Sequence, residues 1–323
     1  MAIATLPRDG AFTVPPALAR GLALVALAVV VSPWGSPPLA LLLGIVLSLA
    51  GAHPWAGTSK RWSRVLLQAS VVGLGFGMSL QQVWLAGHSG FIYTAVGIFL
   101  TLAVGTALGR LLRVHLVESF LVTVGTAICG GSAIAAVGPL VRASEAQMSV
   151  SLGTVFVLNA VALLVFPAIG AAVHLTQSQF GLWAALAIHD TSSVVGAAAK
   201  YGPQALAIGT TVKLARALWI VPVALLTAFV TRQGTKVQWP WFIGWFVVAA
   251  MLNSFVPAGA PVYALAYRLA RVTLLVTLFL IGTQLSPQAL RSVGPRLLLQ
   301  GVVLWAIVAV ASLAAVVAGL ISL

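Results

Sequence analysis

The chain has 323 residues, of which 61% are hydrophobic and only 7% are charged, and its net charge is +13. Because soluble domains carry about 25% charged residues, this composition excludes an ordinary soluble protein. The basic residues are scattered between apolar runs, which argues against a nucleic-acid partner and for a role in membrane topology.

Apolar segments that approach the length of a transmembrane helix follow one another along the whole chain. Eleven are predicted, over residues 17–33, 37–52, 63–82, 90–109, 116–140, 148–172, 178–199, 204–230, 239–256, 262–285 and 298–321. They do not alternate in polarity as the strands of a transmembrane barrel do. We therefore predict an all-α polytopic membrane protein with about 11 transmembrane helices. A single domain over residues 1–323 is expected, since the connections are short.

The basic residues between these segments predict an orientation. With a cytoplasmic N-terminus, eleven of them lie on the cytoplasmic side, and only Arg142 and Lys200 lie on the opposite side. This bias follows the positive-inside rule and places the C-terminus in the periplasm or outside the cell. The eleven residues are Arg8, Arg20, Lys60, Arg61, Arg64, Arg110, Arg113, Arg232, Lys236, Arg291 and Arg296.

Four basic residues lie within apolar segments instead of between them. Lys213 and Arg216 are spaced i, i+3 and share a helix face, as do Arg268 and Arg271. Arg268 and Arg271 could reach an interface by snorkelling. Lys213 and Arg216 lie too far from the ends of their segment for this, so a buried role is predicted for them.

The segment HDTSS (His189–Ser193) interrupts an otherwise apolar run. A carboxylate at the bilayer centre is costly, so Asp190 is expected to face a protein interior or a water-filled cavity. Ser and Thr are poor helix formers but good N-cap residues. We predict a helix that ends near His189 and Asp190 and restarts at Thr191, Ser192 and Ser193.

A second interruption is predicted within GTAICGGSAIAAVGP. Gly130 and Gly131 weaken the helix, Ser132 can cap its restart, and Pro139 ends it. Free N–H groups at such a restart attract anions, and many secondary transporters build their substrate site from discontinuous helices. Gly and Ser also suit close helix packing. We predict that the two interruptions meet at mid-membrane.

Two pairs of segments resemble each other within the chain. Val71–Leu80 resembles Leu274–Leu285, and these two cross in opposite directions, as an inverted repeat requires. Ala127–Ala136 resembles Ala187–Gly196, but these cross in the same direction in the predicted topology. Either the second similarity is chance, or one of its segments is re-entrant and the predicted topology is wrong nearby.

Several motifs resemble the YeiH-type family of bacterial inner-membrane proteins, which carry the name of sulfate exporters. They are GTAICGGSAIAA, HD followed by VVGAA, TTVKLARALWIVP, WFIGWFVVAAMLNS and LFLIGTQL, and the similarity covers nearly the whole chain. The resemblance implies sulfate or a sulfonate as substrate. Through the related cation–proton antiporters and bile-acid symporters, it also implies an inverted-repeat core with crossed, unwound helices. The paired aspartates of the antiporters have no counterpart here, because Asp190 is the only acid at an unwound mid-span.

Three functions are weighed. The first is a secondary active transporter that exports a small anion, with Lys213 and Arg216 supplying charge and His189–Asp190 able to take up a coupling proton. The second is a Na⁺- or H⁺-coupled cation transporter that uses Asp190. The third is an intramembrane enzyme that uses Cys129 with His189 and Asp190, but nothing marks this thiol as activated, so no enzyme is expected. The predicted substrate-binding residues are Cys129, Gly130, Gly131, Ser132, His189, Asp190, Thr191, Ser192, Ser193, Lys213 and Arg216.

The expected partners are the small anion and the lipid bilayer, in the bacterial inner membrane. No nucleic acid, cofactor or metal ion is expected, and a homodimer stays open. The chain has one cysteine, which excludes an intramolecular disulfide.

Overall fold

The computed structural model describes residues 15–51, 58–232, 241–284 and 294–322. These ranges are helical, with no strand among the described residues, which confirms the all-α class. The helices are α1 (Pro16–Val31), α2 (Pro37–Leu49), α3 (Ser59–Gly75), α4 (Leu80–Leu111), α5 (Leu116–Ala127), α6 (Gly131–Val137), α7 (Glu145–Ala172), α8 (Gln177–Ala187), α9 (Thr191–Tyr201), α10 (Pro203–Leu218), α11 (Ile220–Thr231), α12 (Trp241–Phe255), α13 (Ala260–Gly282) and α14 (Pro295–Val317).

Within the described ranges, five helical stretches are long and apolar enough to cross a membrane. They are α4, α7, the continuous pair α10–α11, α13 and α14. Shorter apolar helices, including α1, α2 and α12, accompany them. The prediction of a polytopic membrane protein is therefore confirmed.

Helices α8 and α9 form a hairpin. The Tyr201 hydroxyl, at the end of α9, donates to the Leu175 carbonyl, before the start of α8, at 2.7 Å. The Tyr201 ring stacks on Phe180 with a centroid distance of 3.8 Å, and the Gln204 N–H donates to Gln177 Oε1 at 2.9 Å. The prediction that 178–199 crosses the membrane is therefore wrong. Each arm has 11 residues, about 16 Å of helix, which is roughly half of a bilayer core.

Helices α5 and α6 form a second hairpin. His115 Nδ1, just before α5, lies 3.2 Å from Gln147 Nε2 in the first turn of α7. The chain has therefore returned to its starting level before α7 begins. Ile134 of α6 packs directly against Gly125 of α5 across the hairpin. The predicted crossing over 116–140 is wrong for the same reason, because the chain turns back at its glycines.

The two hairpins pack against opposite halves of α7. Leu152 and Val155, in its first half, pack against the α5–α6 hairpin at Gly131 and Gly130. Phe166, in its second half, stacks on Trp183 of the α8–α9 hairpin at 4.3 Å. The similar segments found in the sequence are thus the two hairpin tips, and both, instead of one, turn back.

Among the described residues, helices α1, α2, α3, α12 and α13 pack together beside the two hairpins and α7. Gly44 of α2 lies against the backbone of α13 at Phe279 and Gly282, and Gly73 of α3 lies against Ala270. Helix α9 joins the core to this layer, since Gly196 contacts Pro37 and α9 also packs on α13. The layer therefore covers one arm of the α8–α9 hairpin.

Two of the arginines within apolar segments lie on the surface of the protein. Arg268 and Arg271 are exposed on α13, as the snorkelling interpretation requires. Of the residues that predicted the orientation, Arg8, Lys236 and Arg291 lie outside the described residues.

Candidate functional site

The tip of the α8–α9 hairpin is capped by its own carboxylate. Asp190 is the N-cap of α9, with φ −95° and ψ 158°. Its Oδ1 accepts from the Ser193 N–H at 2.9 Å, and its Oδ2 accepts from the Ser192 hydroxyl at 2.5 Å. The predicted break and restart are confirmed, with Asp190 as the capping residue instead of the serines.

The tip of the α5–α6 hairpin is made by glycine. Gly130 precedes α6 with φ 64° and ψ −125°, a conformation that L side chains rarely adopt. No side chain caps α6, and Ser132 already lies within the helix. The predicted break is confirmed, but the prediction that Ser132 caps the restart is wrong, because the left-handed turn at Gly130 starts the helix one residue earlier.

The two tips touch, as predicted. A Cβ atom placed on Gly130 would lie only 3.3 Å from Asp190 Cβ. Asn159, at the middle of α7, fixes the tip of the α8–α9 hairpin, since the backbone N–H groups of His189 and Asp190 donate to its Oδ1 at 3.2 and 3.3 Å. Sequence reasoning missed Asn159, although it is the only Asn in the apolar segment 148–172.

Lys213 of α10 lies fully buried between the tips. Its Nζ donates to three backbone carbonyls, those of Ile128 at 3.2 Å, Ala185 at 3.4 Å and Ile188 at 2.6 Å. Three acceptors match the three N–H groups of an ammonium. Both hairpins contribute, because Ile128 follows α5 while the other two carbonyls belong to the end of α8.

Arg216, one turn further along α10, binds the same two helix ends. Its Nε and Nη2 donate to the Ala127 carbonyl at 2.8 and 2.6 Å, and Nη2 also donates to Thr126 at 3.2 Å. Its Nη1 donates to the carbonyls of Ala185, at 3.3 Å, and Leu186. These contacts use all five guanidinium N–H groups. The negative ends of two helix dipoles therefore meet two cations.

This geometry changes the role expected for the two cations. Lys213 and Arg216 are buried, as predicted, but neither has an N–H group left for a ligand in this conformation. They join the two hairpins through carbonyls that α5 and α8 leave unpaired at their C-terminal ends.

Several polar atoms around the tips have no hydrogen-bond partner within the described residues. Both ring nitrogens of His189 and Nδ2 of Asn159 are buried and unpaired, as are the hydroxyls of Thr126 and Ser151. Leaving a buried polar group unpaired costs roughly 1–3 kcal/mol. The arrangement is therefore suited to a polar ligand that would supply the missing partners.

The predicted site residues of the two tips differ in their exposure. Ser132 is exposed, and Gly131, Asp190 and Thr191 are half-buried. Cys129, Gly130, His189, Ser192 and Ser193 are buried. The structure thus brings both predicted segments together at one junction, where Lys213 and Arg216 bind carbonyls of both hairpins.

Fold and site together define a polytopic helical membrane protein whose core is two opposed helical hairpins. A family model described as "Conserved hypothetical protein 698" matches residues 17–301. A UPF0324 membrane protein from Bacteroides thetaiotaomicron is 49% identical over 286 residues, covering 88% of this chain and 87% of its own. A UPF0324 membrane protein from Bdellovibrio bacteriovorus is 51% identical over 294 residues, covering 89% and 90%.

The chain belongs to this family of UPF0324 membrane proteins, which confirms the family membership expected from its motifs. Neither of the two relatives carries an enzyme name. No solved structure matches the chain.

Proposed function

We propose that the protein is a secondary transporter of a small anion such as sulfate or a sulfonate, with its substrate site between the two hairpin tips. The observation that carries this proposal is the set of buried, unpaired polar atoms at the junction, above all the Nδ2 of Asn159 and the ring of His189. The Asn159 amide nitrogen is a donor, and the imidazole always offers at least one. An oxyanion offers acceptors to both.

The charges at the junction also favour an anion. Lys213 and Arg216 are two buried cations, and Asp190 is the one carboxylate among the described residues that lies beside them. An empty site therefore holds one unbalanced positive charge, which is costly in a low-dielectric interior. A bound anion would supply the counter-charge, so the cations act on it through the electric field and not through direct contact.

The opposed hairpins support a transport function more than a structural one. The two hairpins pack against opposite halves of α7 and meet near its middle. Transporters built from inverted repeats bind their substrates at a midplane junction of this kind. The α9 arm packs on α2 and α13, whereas Ser132 at the start of α6 is exposed. We propose that this conformation opens the site on the α6 side only, as alternating access requires.

The two hairpins change how the basic residues are distributed between the two sides of the membrane, in favour of the proposed orientation. If the α5–α6 hairpin returns to the side from which it enters, Arg142 joins the basic residues of the cytoplasmic side. Lys200 is then the only loop or span-end basic residue on the opposite side. The positive-inside bias is stronger than for eleven straight spans. The proposal is a bacterial inner-membrane transporter with a cytoplasmic N-terminus and export as its direction.

Ligand-dependent thermal unfolding of the purified protein tests the anion site. Sulfate, sulfite, thiosulfate and taurine are compared with chloride at constant ionic strength, because a ligand that binds the native state raises its apparent stability. At least one oxyanion should raise the unfolding temperature. His189→Gln should lose this shift, while the matched variant His174→Gln, at an exposed position, should keep it. An equal response of both variants would overturn the proposed site.

A second candidate, a Na⁺- or H⁺-coupled cation transporter, is favoured by one observation. Asp190 is half-buried at the junction and each of its oxygens has a single hydrogen-bond partner, which leaves lone pairs for a cation. Against it, the buried charges of Lys213 and Arg216 repel a cation there. Stabilisation by Na⁺ but by no anion, lost in Asp190→Asn, would place this candidate first.

A further inference from the structure

We propose that a divalent anion enters this site together with one proton, that a monovalent anion enters without one, and that His189 holds the proton. The inference rests on the proposed anion site, and it adds the net charge of the anion and proton that are transported together. It concerns a side chain that is 1% exposed and has no hydrogen-bond partner on either ring nitrogen within the described residues.

The charged and titratable groups around His189 come from three elements. Helix α10 contributes Lys213 and Arg216, its own hairpin contributes Asp190, and the facing hairpin contributes Cys129. Helix α7 contributes the uncharged Asn159. The hydrogen bonds favour the charged forms of the two cations, since the ammonium has three carbonyl acceptors and the guanidinium has its five N–H groups engaged.

With His189 neutral, the junction therefore carries one unbalanced positive charge. A monovalent anion neutralises it. A divalent anion instead leaves one unbalanced negative charge in a buried place, which is as unfavourable as the charge it replaced. A proton taken up beside the anion restores neutrality.

The imidazole of His189 is the group suited to receive that proton. A neutral imidazole presents one donor and one acceptor, whereas the protonated ring presents two donors. An oxyanion has acceptors only, so protonation turns the one nitrogen that could not bond to it into a second donor. The free imidazole also titrates near neutral pH, so the proton can leave again when the anion does.

Calorimetric titration in two buffers of different ionisation enthalpy counts the protons. The full-length purified protein is titrated at about pH 7, near the range in which an imidazole titrates, with the N-methylglucamine salts of sulfate and of methanesulfonate. Sulfate binding should take up close to one proton, and methanesulfonate binding should take up close to none. His189→Gln should abolish the uptake with sulfate and weaken its binding at least tenfold, and His174→Gln should change neither.

The outcomes separate this inference from the proposed function. Sulfate binding without proton uptake, or equal uptake with both anions, overturns the inference and leaves the anion site standing. Uptake that persists in His189→Gln assigns the proton to another group and also overturns it. If neither anion binds to the wild-type protein, the proposed function fails and the inference fails with it. The comparison of the two anions needs no variant, so a misfolded His189→Gln would not prevent a decision.

Discussion

Replacing Arg216 by Met should separate the two hairpins. The side chain keeps a similar length but loses every contact to the carbonyls of Thr126, Ala127, Ala185 and Leu186. The carbonyls of Thr126, Ala127 and Leu186 would then lack a donor in a buried place, at roughly 1 kcal/mol or more each, whereas Ala185 would keep Lys213. We expect a loss of about 3 kcal/mol in the free energy of unfolding. Arg216→Lys should lose less, because an ammonium still offers three N–H groups.

Thermal unfolding followed by tryptophan fluorescence can measure this effect, since the chain has ten tryptophans. Arg268→Met is the matched control, because Arg268 is exposed on α13, and it should unfold close to the wild-type temperature. An Arg216→Met protein that is as stable as this control but has lost anion binding would contradict this structural role. It would show that Arg216 is a substrate ligand, as the sequence alone had predicted.

Three further predictions concern close contacts and the single thiol. Gly130→Ala should lower stability by roughly 1–3 kcal/mol, because alanine is strained at φ 64°, and chemical denaturation measures this. Gly44→Ala should cost about 2 kcal/mol or more in the same assay, since its Cβ would lie 2.1 Å from the Phe279 carbonyl oxygen; Gly21→Ala, where a Cβ meets nothing within 4 Å, should not. Maleimide labelling of Cys129 should slow about tenfold at an anion concentration of roughly ten times Kd, and an unchanged rate would place the anion elsewhere.

The breaks in the hairpin helices could be predicted from sequence because their causes are local. Gly130, Gly131 and the HDTSS segment disfavour a continuous helix wherever they lie. The direction of the chain after each break could not be predicted, because it is set by contacts between distant residues. Tyr201 returns to Leu175 through a hydrogen bond that no periodicity reveals.

The site was predicted in part for a related reason. Charge in an apolar run marked Asp190, Lys213 and Arg216 as buried and functional. The partners of Lys213 and Arg216 are backbone carbonyls, which every residue has, so no residue type in the sequence reveals the contact. Asn159 could have been found by the same criterion, since it carries the only amide side chain in the apolar segment 148–172, but it lies outside both predicted breaks.

Sided thiol labelling can show whether the two hairpins enter the membrane from opposite sides. In a Cys129→Ala background, single cysteines replace His115, Glu145, His174 and Lys200, which are all exposed, and a membrane-impermeant maleimide is applied to each side of the membrane in turn. Positions 115 and 145 should label from one side and positions 174 and 200 from the other. Labelling of 115 and 145 from opposite sides, as straight spans would give, would contradict this prediction.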